Sequence, residues 1–217
     1  MEPVAKEIAK MIDHTILNAD ANDEQIRKKA HEAIEYGFYS LCVNPYWVSE
    51  TSAILEGTGV KTVSVIGFPL GQGMGGTKHA EAEKAIEDGA DEVDMVMNIG
   101  ALKSQRFADV EADIRAVTEL GATTKVIIET CYLLPEEKVM ACEIAKKAGA
   151  DFIKTSTGFG TYGATTDDVS HIRTIIGPDM GIKAAGGISS WEDAVAMIHA
   201  GATRIGSSRS IDILRGH

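Results

Sequence analysis

The stretch Ala148-Gly149-Ala150-Asp151-Phe152-Ile153-Lys154-Thr155-Ser156-Thr157-Gly158 holds one complete passage from helix to strand to loop. Gly149 suits the position just past a helix C-terminus, where a left-handed backbone stops the helix. Phe152 and Ile153 then read as a short buried strand, and Thr155 to Gly158 as a hydroxyl-rich loop. The theme recurs at Tyr36-Gly37-Phe38, Asp88-Gly89-Ala90-Asp91, Leu120-Gly121-Ala122-Thr123 and Ala200-Gly201-Ala202-Thr203. Amphipathic stretches such as Asp23 to Tyr36 and Pro135 to Ala148 fill the intervals, with apolar residues at helical spacing. Eight strands are predicted, at about Met11–Thr15, Phe38–Val43, Lys61–Ile66, Glu92–Met97, Lys125–Glu129, Phe152–Lys154, Gly181–Lys183 and Arg204–Gly206. Strands alternating with helices imply parallel pairing through right-handed crossovers. With no linker or break in composition, residues 1–217 are expected to form a single α/β domain, a closed (β/α)8 TIM barrel. An open doubly wound sheet is the alternative.

The 217 residues are 44% hydrophobic and 24% charged, an ordinary balance for a globular chain with a substantial core. The net charge of −11, from 21 basic and 32 acidic residues, argues against nucleic acid or an anionic membrane as partner, because either needs a broad basic surface. A small phosphorylated ligand stays compatible, since backbone amides and one or two local cations hold it. Glu2, Lys6, Glu7 and Lys10 interrupt the first eleven residues, so no signal-peptide core is read there. No apolar run approaches the ~20 residues that span a bilayer. Cys42, Cys131 and Cys142 are odd in number and widely spaced, which suggests reduced thiols and a cytoplasmic protein. The six histidines show no metal-ligand spacing, so no metal site is expected.

Lysine inside an apolar strand is costly unless it is paired or working, because its charged form loses hydration on burial. Lys154 follows Phe152-Ile153, and Lys183 follows Gly181-Ile182 on the next strand. Neighbouring parallel strands lie ~4.8 Å apart, so the two ammonium groups can approach. Each would then lower the other's pKa and leave one amine free to attack a carbonyl. Lys154, with hydroxyls and backbone amides just beyond it, is the better nucleophile, although strand-end lysines also occur as plain surface residues. Asp94, between Val93 and Met95, is out of place in a strand interior. It reads either as a loop cap or lysine partner, or as a group that steers a water or substrate hydroxyl during proton transfer. On a barrel, Asp13, Cys42, Asp94, Glu129, Lys154, Lys183 and Ser207 are all expected near the C-terminal ends of their strands, the face where barrel enzymes build their sites. Asp13 and Cys42 are counted with the substrate-binding residues on that ground, although Asp13-His14-Thr15 also reads as a structural tie. Gly186-Gly187 and Gly206-Ser207-Ser208 occupy the two loops that commonly hold phosphate, ahead of helices read at Trp191–Ala200 and Ser208–Leu214. Arg209 either adds a cation there or points away into solvent, and the second is favoured because the first turn of a helix sends successive side chains in different directions. Gly71 to Gly76 lacks the Lys-Ser/Thr of a P-loop and reads as a rim of the site.

At these residues the chain resembles the deoxyribose-phosphate aldolase family of class I aldolases, over about Ala9 to Ile205. The resemblance is carried by Met11-Ile12-Asp13-His14-Thr15, Val43-Asn44-Pro45, Gly67-Phe68-Pro69-Leu70-Gly71, Gly89-Ala90-Asp91-Glu92-Val93-Asp94, Lys125-Val126-Ile127-Ile128-Glu129-Thr130-Cys131 and the segments that begin at Phe152 and Gly181. It implies reversible cleavage of 2-deoxy-D-ribose 5-phosphate to D-glyceraldehyde 3-phosphate and acetaldehyde, without metal or organic cofactor. It further implies that Lys154 forms the imine, Lys183 perturbs its pKa and Asp94 joins a proton relay through water. Phosphate would lie near the loops of Gly158, Gly186, Gly187, Ser207 and Ser208. The partners are then a sugar phosphate and an aldehyde, with a homodimer admitted as the assembly. The chain departs from the family at Arg209-Ser210, where a run of small hydroxyl residues and Gly is usual, at Asn18, where many members carry Lys, and in the Gly-rich loop Gly71–Gly76. None of these touches the lysine pair. Two rival readings are an isomerase or epimerase using acid/base chemistry alone, and a non-catalytic sugar-phosphate-binding barrel.

Overall fold

The computed structural model describes residues 3–216. Eight parallel strands close into a barrel in sequence order: β1 (Ile12–Thr15), β2 (Ser40–Val43), β3 (Lys61–Ile66), β4 (Glu92–Val96), β5 (Thr123–Ile127), β6 (Phe152–Lys154), β7 (Gly181–Ala185) and β8 (Arg204–Ser207), which pairs back onto β1. The open-sheet alternative is thereby excluded. The helices are α1 (Pro3–Ala9), α2 (Asp23–Tyr36), α3 (Val48–Leu55), α4 (Gly75–Glu87), α5 (Ile99–Lys103), α6 (Phe107–Thr118), α7 (Pro135–Lys147), α8 (Thr166–Ile176), α9 (Trp191–His199) and α10 (Ser210–Arg215). Among the described residues, no helix is long and apolar enough to cross a membrane.

Local chemistry accounts for the boundaries. Asn22 caps α2 by accepting from the Gln25 amide, while the Gln25 side chain accepts from the Asn22 amide, so orphan N–H groups are satisfied reciprocally. Gly37, Gly89, Gly121, Gly149 and Gly201 all have positive φ, as the recurring theme requires. The residue two beyond the glycine then locks the turn to the sheet. Asp91 accepts from the Thr62 amide, Asp151 from the Thr124 amide and Thr203 from the Ile182 amide. These ties recruit each new strand beside the previous one.

The sequence boundaries hold to within a residue or two, with one consequence. β5 begins at Thr123 rather than Lys125, so Lys125 lies mid-strand and Glu129 lies beyond the strand's end. The large apolar core is the layer between barrel and helices, built from residues such as Ile26, Phe38, Leu41, Met95, Val126 and Ile182. Among the described residues, Leu17, Cys42, Val63 and Val65, with Phe68 packed on them, form a second, smaller apolar cluster inside the barrel. Charged side chains occupy much of the remaining lumen, with Phe152 packed against Lys125 and Arg204.

Candidate active site

Strand register places the charged side chains. Asp94 pairs in register with Lys125, Lys154 with Lys183 and Lys183 with Arg204, so all of them project inward from adjoining strands. Lys154 Nζ lies 2.8 Å from Asp94 Oδ2, and Lys183 Nζ lies 2.7 Å from the same oxygen and 2.5 Å from Asp13 Oδ2. Lys125 Nζ takes the other oxygen, Asp94 Oδ1, at 2.8 Å and also meets Glu92 Oε2 at 2.5 Å. Arg204 joins Asp13 Oδ1 at 2.9 Å to Glu92 Oε2 at 3.0 Å, and it stacks 3.5 Å from the Tyr39 ring centroid. Ser40 and Tyr39 hydroxyls donate to Asp13 and Glu92.

Four basic groups therefore face three carboxylates in a water-poor lumen. With Lys154 as a free amine the charges balance at three against three. A buried net charge is expensive, so the surplus proton is best shed by one lysine. Burial pushes the Lys154 pKa down, Asp94 opposes this and Lys183 adds to it, and the net direction is below the ordinary lysine value. Burial alone would also lower Lys183, but Asp13 and Asp94 outweigh it and hold its pKa above the ordinary lysine range. Lys125 is likewise raised, against its burial, by Asp94 and Asp13. Burial would raise Asp94, but Lys125, Lys154 and Lys183 hold it well below the usual carboxylate value. Asp13 is lowered in the same way by Lys183, Lys125 and Arg204.

This corrects the expectation that the two lysines lower each other. Their repulsion is mutual, but the net shifts are opposite, because Lys183 contacts two carboxylates and Lys154 shares one. The expected placement also needs correction. Lys154 does end its strand, but Asp13, Asp94 and Lys183 sit mid-strand, beneath the mouth.

Above Lys154 opens a cleft of about 550 Å³. Lys154, Gly158, Gly186, Gly187, Ser207 and Ser208 all line it, together with Thr157, Phe159, Asn18 and Arg209. Asp13, Cys42, Asp94 and Lys183 do not. Cys42 is fully buried among Leu17, Val63 and Val65, and burial pushes its thiol pKa up. The two glycine loops are tied together, since the Ser207 hydroxyl donates to Ile188 O at 2.7 Å and accepts from the Arg209 amide at 3.0 Å. The last helix begins at Ser210, not Ser208, and Arg209 turns to Asp212 at 3.0 Å on the surface. Gly71 meets the end of β4, where a Cβ would stand 2.2 Å from Met97 O.

Lys125, Glu92 and Arg204 are members of the charged cluster that the sequence reading did not single out. Lys125 carried the same signal as the other two lysines, a cation in an apolar run. The sequence hides it, because the β-branched run reads as a strand that starts at Lys125.

With this geometry in hand, comparison with known proteins is informative. Residues 7–211 match the family model described as DeoC/LacD family aldolase. Deoxyribose-phosphate aldolase of Aciduliprofundum boonei is 58% identical over 214 residues, covering 97% of this chain and 96% of that one. The enzyme of the same name from Thermococcus gammatolerans is 57% identical over 219 residues, covering 98% and 97%. The solved structure of a tetrameric deoxyribose phosphate aldolase from Aeropyrum pernix superposes with a TM-score of 0.91 at 36% identity, covering 97% of this chain and 91% of that one.

Proposed function

The chain belongs to the DeoC/LacD aldolase family, and from that premise we propose that it cleaves 2-deoxy-D-ribose 5-phosphate reversibly to D-glyceraldehyde 3-phosphate and acetaldehyde through an imine on Lys154. The observation that carries this reading is an amine at the floor of a cleft of about 550 Å³, set over a charged cluster that balances when that amine is neutral.

The neutral amine attacks the aldehyde carbon of the open-chain sugar, and loss of water gives the protonated imine. Removal of the proton from the C3 hydroxyl lets the C2–C3 bonding pair move into the imine. Glyceraldehyde 3-phosphate leaves, and an enamine of acetaldehyde stays on Lys154. Protonation of the enamine at C2 and addition of water to the imine release acetaldehyde and restore the amine. Lys183 and Asp94, which share an oxygen–nitrogen contact of 2.7 Å beside Lys154, are the nearest groups able to pass protons in these steps. The phosphate is assigned to the loops of Gly158, Gly186-Gly187 and Ser207-Ser208, where backbone amides favour an anion.

An isomerase or epimerase would need a free carboxylate or histidine pair at the mouth, whereas Asp13, Glu92 and Asp94 are each bound to cations in the lumen. The deciding experiment is borohydride reduction in the presence of acetaldehyde, followed by mapping of the modified peptide. An adduct on Lys154, with loss of cleavage in a folded Lys154→Ala variant, is the expected result. An adduct on Lys183 would overturn the assignment, and no adduct at all would favour a non-catalytic barrel. Residues 1–217 are taken as one catalytic unit in the cytoplasm. The homodimer is likewise a proposal, for which light scattering at twice the 23.1 kDa chain mass is the supporting outcome and any other mass the refuting one.

A further inference from the structure

Glu129 is one of two described non-glycine residues with positive φ, at φ 51 and ψ 67. A left-handed backbone is unfavourable for a residue with a Cβ and persists only where surrounding contacts enforce it. Past the end of β5, Ile128 N still donates to Lys154 O and Thr130 N to Thr155 O, a step of two residues against one, so Glu129 is the extra residue turned out of line between these two bonds. The turn aims its buried carboxylate at the loop that follows Lys154. There it accepts from the Thr157 amide at 3.1 Å and from the Thr157 hydroxyl, which in turn accepts from the Phe159 amide at 3.0 Å. The loop closes tightly on this contact, because a Cβ at Gly160 would stand 2.6 Å from Cys131 Sγ and 3.2 Å from the Glu129 carboxyl carbon.

The far end of the same loop is fixed to the strand-seven loop. Ala164 N donates to Gly186 O at 3.0 Å, and a Cβ at Gly163 would stand 2.0 Å from that oxygen. Gly158 lies between the two anchors and packs against Gly186, where a Cβ would stand 3.4 Å from Gly158 Cα, and both line the cleft. The spacing of the two loops therefore depends on Glu129 at one end and on glycine packing at the other.

We propose that Glu129 is a positioning residue that sets affinity for the phosphorylated end of the substrate by fixing Thr157, and through it the amides around Gly158. This rests on the function proposed above, in which phosphate occupies that side of the cleft. The Glu129 carboxylate hydrogen-bonds Thr157 rather than the lysine cluster, so imine formation does not depend on it.

The test compares deoxyribose 5-phosphate with unphosphorylated deoxyribose. Glu129→Ala is expected to raise KM for the phosphorylated sugar about tenfold or more, with kcat within about threefold and KM for deoxyribose within about twofold. Borohydride trapping of acetaldehyde on Lys154 should persist. Glu129→Gln keeps one acceptor oxygen and the side-chain volume, and should show the same split at about threefold. It carries the test alone where the alanine variant does not fold. Parallel changes in both KM values, or no change in either, would overturn the proposal. Wild-type protein that fails to cleave the phosphorylated sugar would instead remove the functional reading, so the two failures are distinct.

Discussion

Replacing Lys183 with Met removes one lumen cation while keeping a chain that fits the channel left by Gly206, where a Cβ would stand 2.9 Å from Lys183 Cε. Both lysine nitrogens contact Asp94 Oδ2, at 2.8 and 2.7 Å, and so lie no more than 5.5 Å apart. At an effective dielectric near 20, two unit charges at about 5.5 Å repel by ~3 kcal/mol, roughly a hundredfold in proton affinity. The charge count changes in the same sense, because three carboxylates then face three cations only if Lys154 is protonated. The sign follows directly. Without Lys183 the Lys154 pKa rises, the neutral amine appears at higher pH, and the acid limb of kcat/KM moves to higher pH by about two units. Loss of the cation beside Asp13 and Asp94 should also destabilise the fold by ~3–5 kcal/mol, so melting curves at each pH are the necessary control. The assay is the pH profile of deoxyribose 5-phosphate cleavage by folded variant and wild type. A limb that stays in place with a near-wild-type rate would refute the electrostatic argument. A uniform loss of rate without a shift would make Lys183 a proton carrier rather than a source of field.

Asp94→Asn should move the limb the opposite way, to lower pH, because the Asp94 carboxylate raises the Lys154 pKa and its loss leaves burial and Lys183 unopposed. Its kcat should fall about a hundredfold or more if Asp94 moves protons in the reaction, and an unchanged kcat or a limb moving upward would count against both roles. Arg209→Ser should leave KM for deoxyribose 5-phosphate within about threefold, since the side chain, although at the rim of the cleft, is 63% exposed and its guanidinium is bound to Asp212. A tenfold rise confined to the phosphorylated sugar would make it a direct phosphate ligand.

The barrel was legible in the chain because its determinants are local. A glycine follows most of the helices, at three of these turns the residue two beyond it ties back to the preceding strand, and a strand follows, so element type and order can be read within a dozen residues. The lysines were legible for a similar reason, since a cation in an apolar run is anomalous wherever it occurs. Their roles were not. Phe152-Ile153-Lys154 and Gly181-Ile182-Lys183 look alike, yet one amine is pushed toward neutrality and the other is held charged. The difference is Asp13, which comes from the first strand and reaches Lys183 only because the eighth strand closes onto the first. Arg204 escaped notice for the same cause, being ordinary in sequence until strand register set it against Glu92 and Asp13, whereas Lys125, as anomalous as the other two lysines, was masked by a strand start read at its own position. Sequence thus determined which elements form and which residues are anomalous. Barrel closure alone decided which charges meet, and a pKa in a buried cluster is set by those distances.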